Sequence, residues 1–156
     1  MFKTEEENIK CNLELLSRIP ENQKKEVFSS MCDIDATFLG FVDTYKVLAE
    51  LIPEHYTVID LGCAYNPQCF YFLNHKQYVA IDIWQGPIFK SPNCIIYRKS
   101  IAQFITENLH EFNLDETFAI CNYVPPWHND NGKLVRNAFK NVYVFYPAGS
   151  NNLMPN

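Results

Sequence analysis

The run Tyr56-Thr57-Val58-Ile59-Asp60-Leu61, closed by Gly62, limits the folds open to this chain more than any other feature. It is rich in β-branched and apolar residues and does not alternate with polar ones. That pattern predicts a strand buried on both faces, as at the centre of a parallel sheet. Gly62, Cys63 and Ala64 are small, so the backbone can turn tightly where the strand ends. Further segments then alternate. The pattern predicts a helix over 67–75, with Pro67 suited to its first turn, and strands over 78–83 and 94–98. A helix over 101–112, a strand over 117–122, a helix over 133–140 and a strand over 142–146 follow. Strands alternating with helices imply an α/β fold, a doubly wound, mostly parallel sheet of about five strands in the order 3-2-1-4-5.

Ahead of this body lies a helical entry. Thr4 and Glu7 form a capping-box pattern, Ile9, Leu13 and Leu16, with Leu15 beside them, make an apolar stripe, and Pro20 ends it. A second short helix is predicted over 21–31. Phe38, Phe41, Val42, Tyr45, Leu48, Ala49 and Ile52 then recur at helical spacing, with Asp33 or Asp35 available as a cap and Pro53 as the stop. With 156 residues and no repeat or long linker, the chain reads as a single domain over 1–156. Residues 1–53 form the helical entry and 54–156 the α/β core. One stretch strains the pattern. Only 84–93 separate the second and third strands, and parallel crossovers usually take a dozen or more residues. The fifth strand is expected at a sheet edge, where it would pair with a second copy or be covered by the N-terminal helices.

Charge narrows the partners. There are 13 basic residues against 18 acidic ones, a net charge of -5, and no basic stripe, which disfavours tight non-specific binding to nucleic acid. The six cysteines form no C-x-x-C pair and have no histidine at zinc-ligand spacing, so buried, reduced thiols in a cytoplasmic protein are expected and no metal site. The polar stretch Lys3-Thr4-Glu5-Glu6-Glu7 is unlike a signal peptide, and no apolar run approaches the ~20 residues of a membrane span.

In a doubly wound sheet, ligands gather at the carboxyl ends of the strands, where strand order reverses. The Gly62 turn stands there, and the helix after it is expected to offer free N–H groups. Asp82, 20 residues beyond Gly62, ends the second strand. There it would accept hydrogen bonds from ribose hydroxyls, or serve only as a turn cap. Cys121-Asn122-Tyr123-Val124-Pro125-Pro126-Trp127 follows the fourth strand, its prolines stiffening a loop at the same sheet edge. Trp127 would offer a face to a flat acceptor and Asn122 a polar contact, or the loop is a turn with Trp127 as a packed plug. His128 is a candidate base or a surface residue, and His55, His75 and His110 fall at helix ends.

These motifs resemble the Rossmann-like, S-adenosylmethionine-dependent methyltransferases. The resemblance covers about 38–146. Asp60-Leu61-Gly62-Cys63-Ala64 matches their first motif, an acid two before the first glycine, with Ala64 where a second glycine is usual and Asn66-Pro67 in place of the third. Asp82 matches their second. The G-x-G-x-x-G of NAD-binding folds is absent. The resemblance implies S-adenosylmethionine as cofactor, held by Asp60, Gly62, Ala64 and Asp82. It also puts Ser100 and Ile101 at the adenine, Ser100 doubling as a helix N-cap. The Val124-Pro125-Pro126-Trp127 loop is similar to the D/N-P-P-aromatic loop of amino-group methyltransferases, with Val124 in the polar position and Asn122 two residues back. It implies an acceptor site of Asn122, Pro125 and Trp127. The family usually carries two strands beyond the fifth, so a C-terminally reduced domain is implied. The alternatives are a catalytically inactive S-adenosylmethionine-binding or protein-interaction module, and another kind of nucleotide binder.

Overall fold

A computed structural model describes residues 5–30, 42–122 and 131–145. The helices are α1 (Glu5–Ser17), α2 (Glu21–Ser30), α3 (Val42–Leu51), α4 (Ile101–Asn108) and α5 (Asn131–Ala138). The strands are β1 (Thr57–Leu61), β2 (Gln77–Ile81), β3 (Cys94–Tyr97), β4 (Thr117–Asn122) and β5 (Val142–Phe145). They form one five-stranded sheet in the order β3-β2-β1-β4-β5. Every pairing is parallel, with Ile59 opposite Val79 on one side and Ala119 on the other. The α/β architecture and strand order are those the alternating pattern implies. No helix of the described residues is long and apolar enough to cross a membrane.

Alternation along the central strands divides the core into two layers. Val58, Tyr78, Ala80 and Ile120 face one way and pack with Leu15 and Ile19 of the α1 region, Val27 of α2, and Tyr45 and Leu48 of α3. Ile59, Leu61, Val79, Ile81 and Ala119 face the other way, onto Ile101 and Phe104 of α4 and Val135 and Phe139 of the α5 region. Each residue of β1 therefore has an apolar layer above or below it, which is why the strand shows no polar alternation: its five residues are all buried. The helical entry forms the first layer together with Phe70, Phe72 and Phe89 from the connections between strands.

Two connections depart from expectation. The helix predicted over 67–75 is a five-residue 3-10 helix, Pro67–Tyr71, and all five residues are buried. Asn66 enters it in the left-handed conformation, with φ 67 and no side-chain cap, and such a start leaves no ordinary first α-turn. Between β2 and β3 no helix forms at all. The segment 82–93 runs without regular structure, and Phe89 plugs fully into the first layer. Both crossovers are short because α1, α2 and α3 already cover that face. The helix predicted over 101–112 ends at Asn108 and continues as a 3-10 turn, Leu109–Glu111. The residues Phe38 and Phe41, assigned in sequence to the start of α3, lie outside the described residues, as does Thr4.

Candidate functional site at the carboxyl ends of the central strands

Strand β1 ends at Leu61 between β2 and β4, the place where strand order reverses. The next residues turn through positive φ at Gly62 (87), Ala64 (52) and Asn66 (67). For Ala64, an L-residue with a Cβ, this conformation is strained, so other contacts must hold it. The contact is visible: the Ala64 N–H donates to Asp82 Oδ2 at 2.8 Å. The second carboxylate oxygen, Oδ1, accepts from the Trp84 N–H at 2.9 Å. Asp82 thus ties the turn after β1 to the turn after β2, and the two sequence motifs meet in space.

Ala64, Tyr65, Asp82 and Trp84 line a cleft of about 230 Å³. Trp84 carries the aromatic wall. Its ring meets Tyr65 edge-on at 5.4 Å, and its Nε1 donates to the Pro87 carbonyl at 3.0 Å. Gly86 lies directly beneath the ring: a Cβ there would come within 2.1 Å of it. Arg98 donates to the Trp84 and Gly86 carbonyls at 2.7 and 3.0 Å, fixing this segment to the end of β3. Sequence reading missed Trp84. The available signal was an aromatic two residues past the strand-ending acid, close enough to share its turn.

The turn itself is less open than expected. The Gly62 and Cys63 N–H groups both donate to the Ile81 carbonyl, at 2.8 and 3.0 Å, and the Ala64 N–H is taken by Asp82. With a short 3-10 helix following, the expectation that the turn and helix present free N–H groups is corrected for these three amides. What faces the cleft is the Asp82 carboxylate, with lone pairs beyond those its two backbone donors use, and the aromatic wall of Tyr65 and Trp84.

Asp60 is fully buried and is not a wall of the cleft. Its Oδ1 accepts from the Tyr45 hydroxyl at 2.8 Å, and its Oδ2 accepts from Gln68 Nε2 at 2.7 Å and from the Tyr78 hydroxyl. Gln68 Nε2 also donates to the Cys63 carbonyl at 3.0 Å. Asp60 therefore holds the turn from below, through Gln68, and pins α3 through Tyr45. Burial raises its pKa from 3.8 to about 6, against the three hydrogen bonds that lower it. Burial and the Asp60 charge push both tyrosines well up, so they remain donors.

Ser100 caps α4, its hydroxyl accepting from the Gln103 N–H at 3.1 Å. Ile101 packs into the second core layer with Ile81 and Phe104. Neither residue lines the cleft. Asn122 ends β4 beside Phe145. Pro125, Trp127 and His128 lie outside the described residues, as does the rest of the Pro-Pro loop. His75 is buried, with Nε2 2.9 Å from the Ile52 carbonyl. A larger hollow of about 480 Å³ lies at the other end of β1 and β2, lined by Arg18, Lys46, Pro53 and Tyr71 among others. Its two cations are already paired with Glu14.

No model of a known protein family matches the chain, and no curated protein matches it in sequence.

Proposed function

We propose that the chain binds S-adenosylmethionine in the cleft beside Asp82 and transfers its methyl group to an amino group of a planar or polar acceptor. The observation that carries this reading is the Ala64–Asp82 hydrogen bond at the point where strand order reverses, beside an open cleft. It joins the two motifs that resemble the methyltransferase family at the place where α/β sheets take ligands. The donor set suits an adenosyl group. A carboxylate faces the cleft to accept from ribose hydroxyls, and the Trp84 and Tyr65 rings offer apolar faces to a flat base. The cleft's volume of about 230 Å³ matches a nucleoside portion rather than a whole drug-sized ligand, for which pockets run ~300–1,000 Å³.

When bound, the donor supplies a methyl group already activated by the sulfonium charge, so chemistry needs alignment and water exclusion more than a strong base. Asp82 holds the ribose side, Gly62 and Ala64 allow close approach of the backbone, and Asp60 keeps the turn in shape through Gln68. Asn122, Pro125 and Trp127 form the acceptor side, as the resemblance of their loop implies.

A second reading, a domain that binds without turnover or serves as an interaction module, is favoured by a specific observation. The amides of Gly62, Cys63 and Ala64 are all bonded within the chain, leaving fewer donors for a ligand. Calorimetric titration with S-adenosylmethionine, S-adenosylhomocysteine and NAD tests both. Binding of the first two and not of NAD supports the site. No heat with any of them removes it. Binding with no methyl transfer to nucleic acid, peptide or small amine acceptors selects the second reading.

A further inference from the structure

The segment 82–93, which carries Trp84, has no ladder to satisfy its backbone. Its N–H and C=O groups must find partners one by one. One partner comes from the helical entry, 67 residues away in sequence. Gln23, in the first turn of α2, presents its whole side-chain amide to Lys90. Its Oε1 accepts from the Lys90 N–H at 2.9 Å, and its Nε2 donates to the Lys90 carbonyl at 2.9 Å. The reverse orientation of that amide would set donor against donor and acceptor against acceptor, so the pairing also fixes the side chain.

Helix α2 grips the same stretch a second time. Phe28 meets Phe89 edge-on, with ring centroids 5.7 Å apart and planes at 79°. Phe89 is fully buried, and its N–H donates to the Tyr65 carbonyl at 2.9 Å. Its own carbonyl accepts from Asn66 Nδ2 at 3.0 Å. Tyr65 is a wall of the cleft, and its ring meets Trp84. Contacts therefore run without a gap from α2 through Lys90 and Phe89 to Tyr65 and Trp84.

We propose that Gln23 is a positioning residue of the cleft: by holding both backbone groups of Lys90 it sets Phe89, and through Phe89 the aromatic wall of Tyr65 and Trp84. Gln23 is not itself a wall of the cleft. It supplies order. A segment without a ladder opens at low free energy unless side chains such as this one close it. A ligand that meets a wall already in place avoids the cost of ordering it. The effect on affinity rests on reading the cleft as the S-adenosylmethionine site; the effect on the wall rests on the contacts alone.

The test compares Gln23→Ala with Asn113→Ala in the full-length chain. Asn113 caps the 3-10 turn Leu114–Glu116 ahead of β4, at the opposite end of the strand from the cleft, so its variant reports a general loss of stability. The first readout is S-adenosylhomocysteine affinity by calorimetry. Gln23→Ala should weaken it roughly five- to tenfold, about what the loss of one net hydrogen bond yields, and Asn113→Ala should leave it unchanged. The second readout needs no ligand. It is the Trp84 indole resonance in a proton–nitrogen correlation spectrum, identified by its loss in Trp84→Phe, together with hydrogen-exchange protection of the Phe89 amide. Gln23→Ala should shift the resonance and lower the protection. Gln23→Glu, which keeps an acceptor for the Lys90 N–H, should fall between it and wild type. A Gln23→Ala resonance and protection that match wild type, or that change no more than in Asn113→Ala, overturn the proposal. So does unchanged affinity in Gln23→Ala when wild type binds. If wild type binds no S-adenosylhomocysteine, the reading of the cleft fails, and the second readout still decides whether Gln23 positions the wall.

Discussion

Asp82 does two jobs with one carboxylate. Each oxygen takes a backbone N–H, so the residue closes two turns while facing the cleft. Asp82→Ala should weaken S-adenosylmethionine binding by roughly 1–3 kcal/mol, the size of a lost hydrogen bond to a charged group, as read by titration calorimetry. Unchanged affinity would remove the ribose role. Asp82→Asn, which keeps an acceptor for one amide, should cost less stability than the alanine variant in a urea melt. Tyr45→Phe removes one donor from a buried carboxylate and leaves its Oδ1 without that partner. It should destabilise the chain by about 1–3 kcal/mol in a urea melt, with little effect on the cleft's own walls.

Among the elements, the segment between β2 and β3 matters most for the site. It replaces a crossover helix with a fixed irregular path, pinned by Phe89 in the core and by Arg98 at Trp84 and Gly86. Gly86 is small because the indole needs its space. Gly86→Ala should therefore displace the Trp84 ring, visible as a shift in tryptophan fluorescence, and weaken donor binding while the far-UV spectrum is kept. An unshifted spectrum would show that the ring does not rest on Gly86. The α4 helix depends on its cap: Ser100→Ala should cost about 1 kcal/mol in a denaturant melt. Since Ser100 is not a wall of the cleft, donor affinity should be unchanged.

For the whole molecule, the buried acid sets a pH dependence of folding. Asp60 has a folded-state pKa of about 6 against an ordinary value of 3.8. Because the folded value is raised, its contribution to stability is fully present below pH ~4 and is lost as pH rises through about 6. The loss approaches ~3 kcal/mol, from about two units at 1.36 kcal/mol each. Urea melts at pH 4.5 and 7.5 should show Asp60→Asn gaining stability relative to wild type as pH rises. A constant difference would mean that Asp60 titrates normally in the folded chain. The expense of an ionised Asp60 at neutral pH is offset by what it holds: α3, β2 and the Gly62 turn all meet on its two oxygens.

Much of this was legible in the order of residues. The unbroken apolar run at β1 and the period of its neighbours dictated a parallel sheet, because burial on both faces leaves no polar alternation. The pairing of Asp60-Leu61-Gly62 with Asp82 marked the place of the cleft, because strand ends and their turns are local features. Only the tertiary structure decided the rest. Pro67, suited to a first helical turn, argued for a helix over 67–75, yet a 3-10 helix formed, because three N-terminal helices had already filled that face and Asn66 turned left-handed into it. The burial of Asp60 away from the cleft and the aromatic wall at Trp84 each join segments distant in sequence. Their contacts come from how layers pack, and no spacing along the chain encodes that distance.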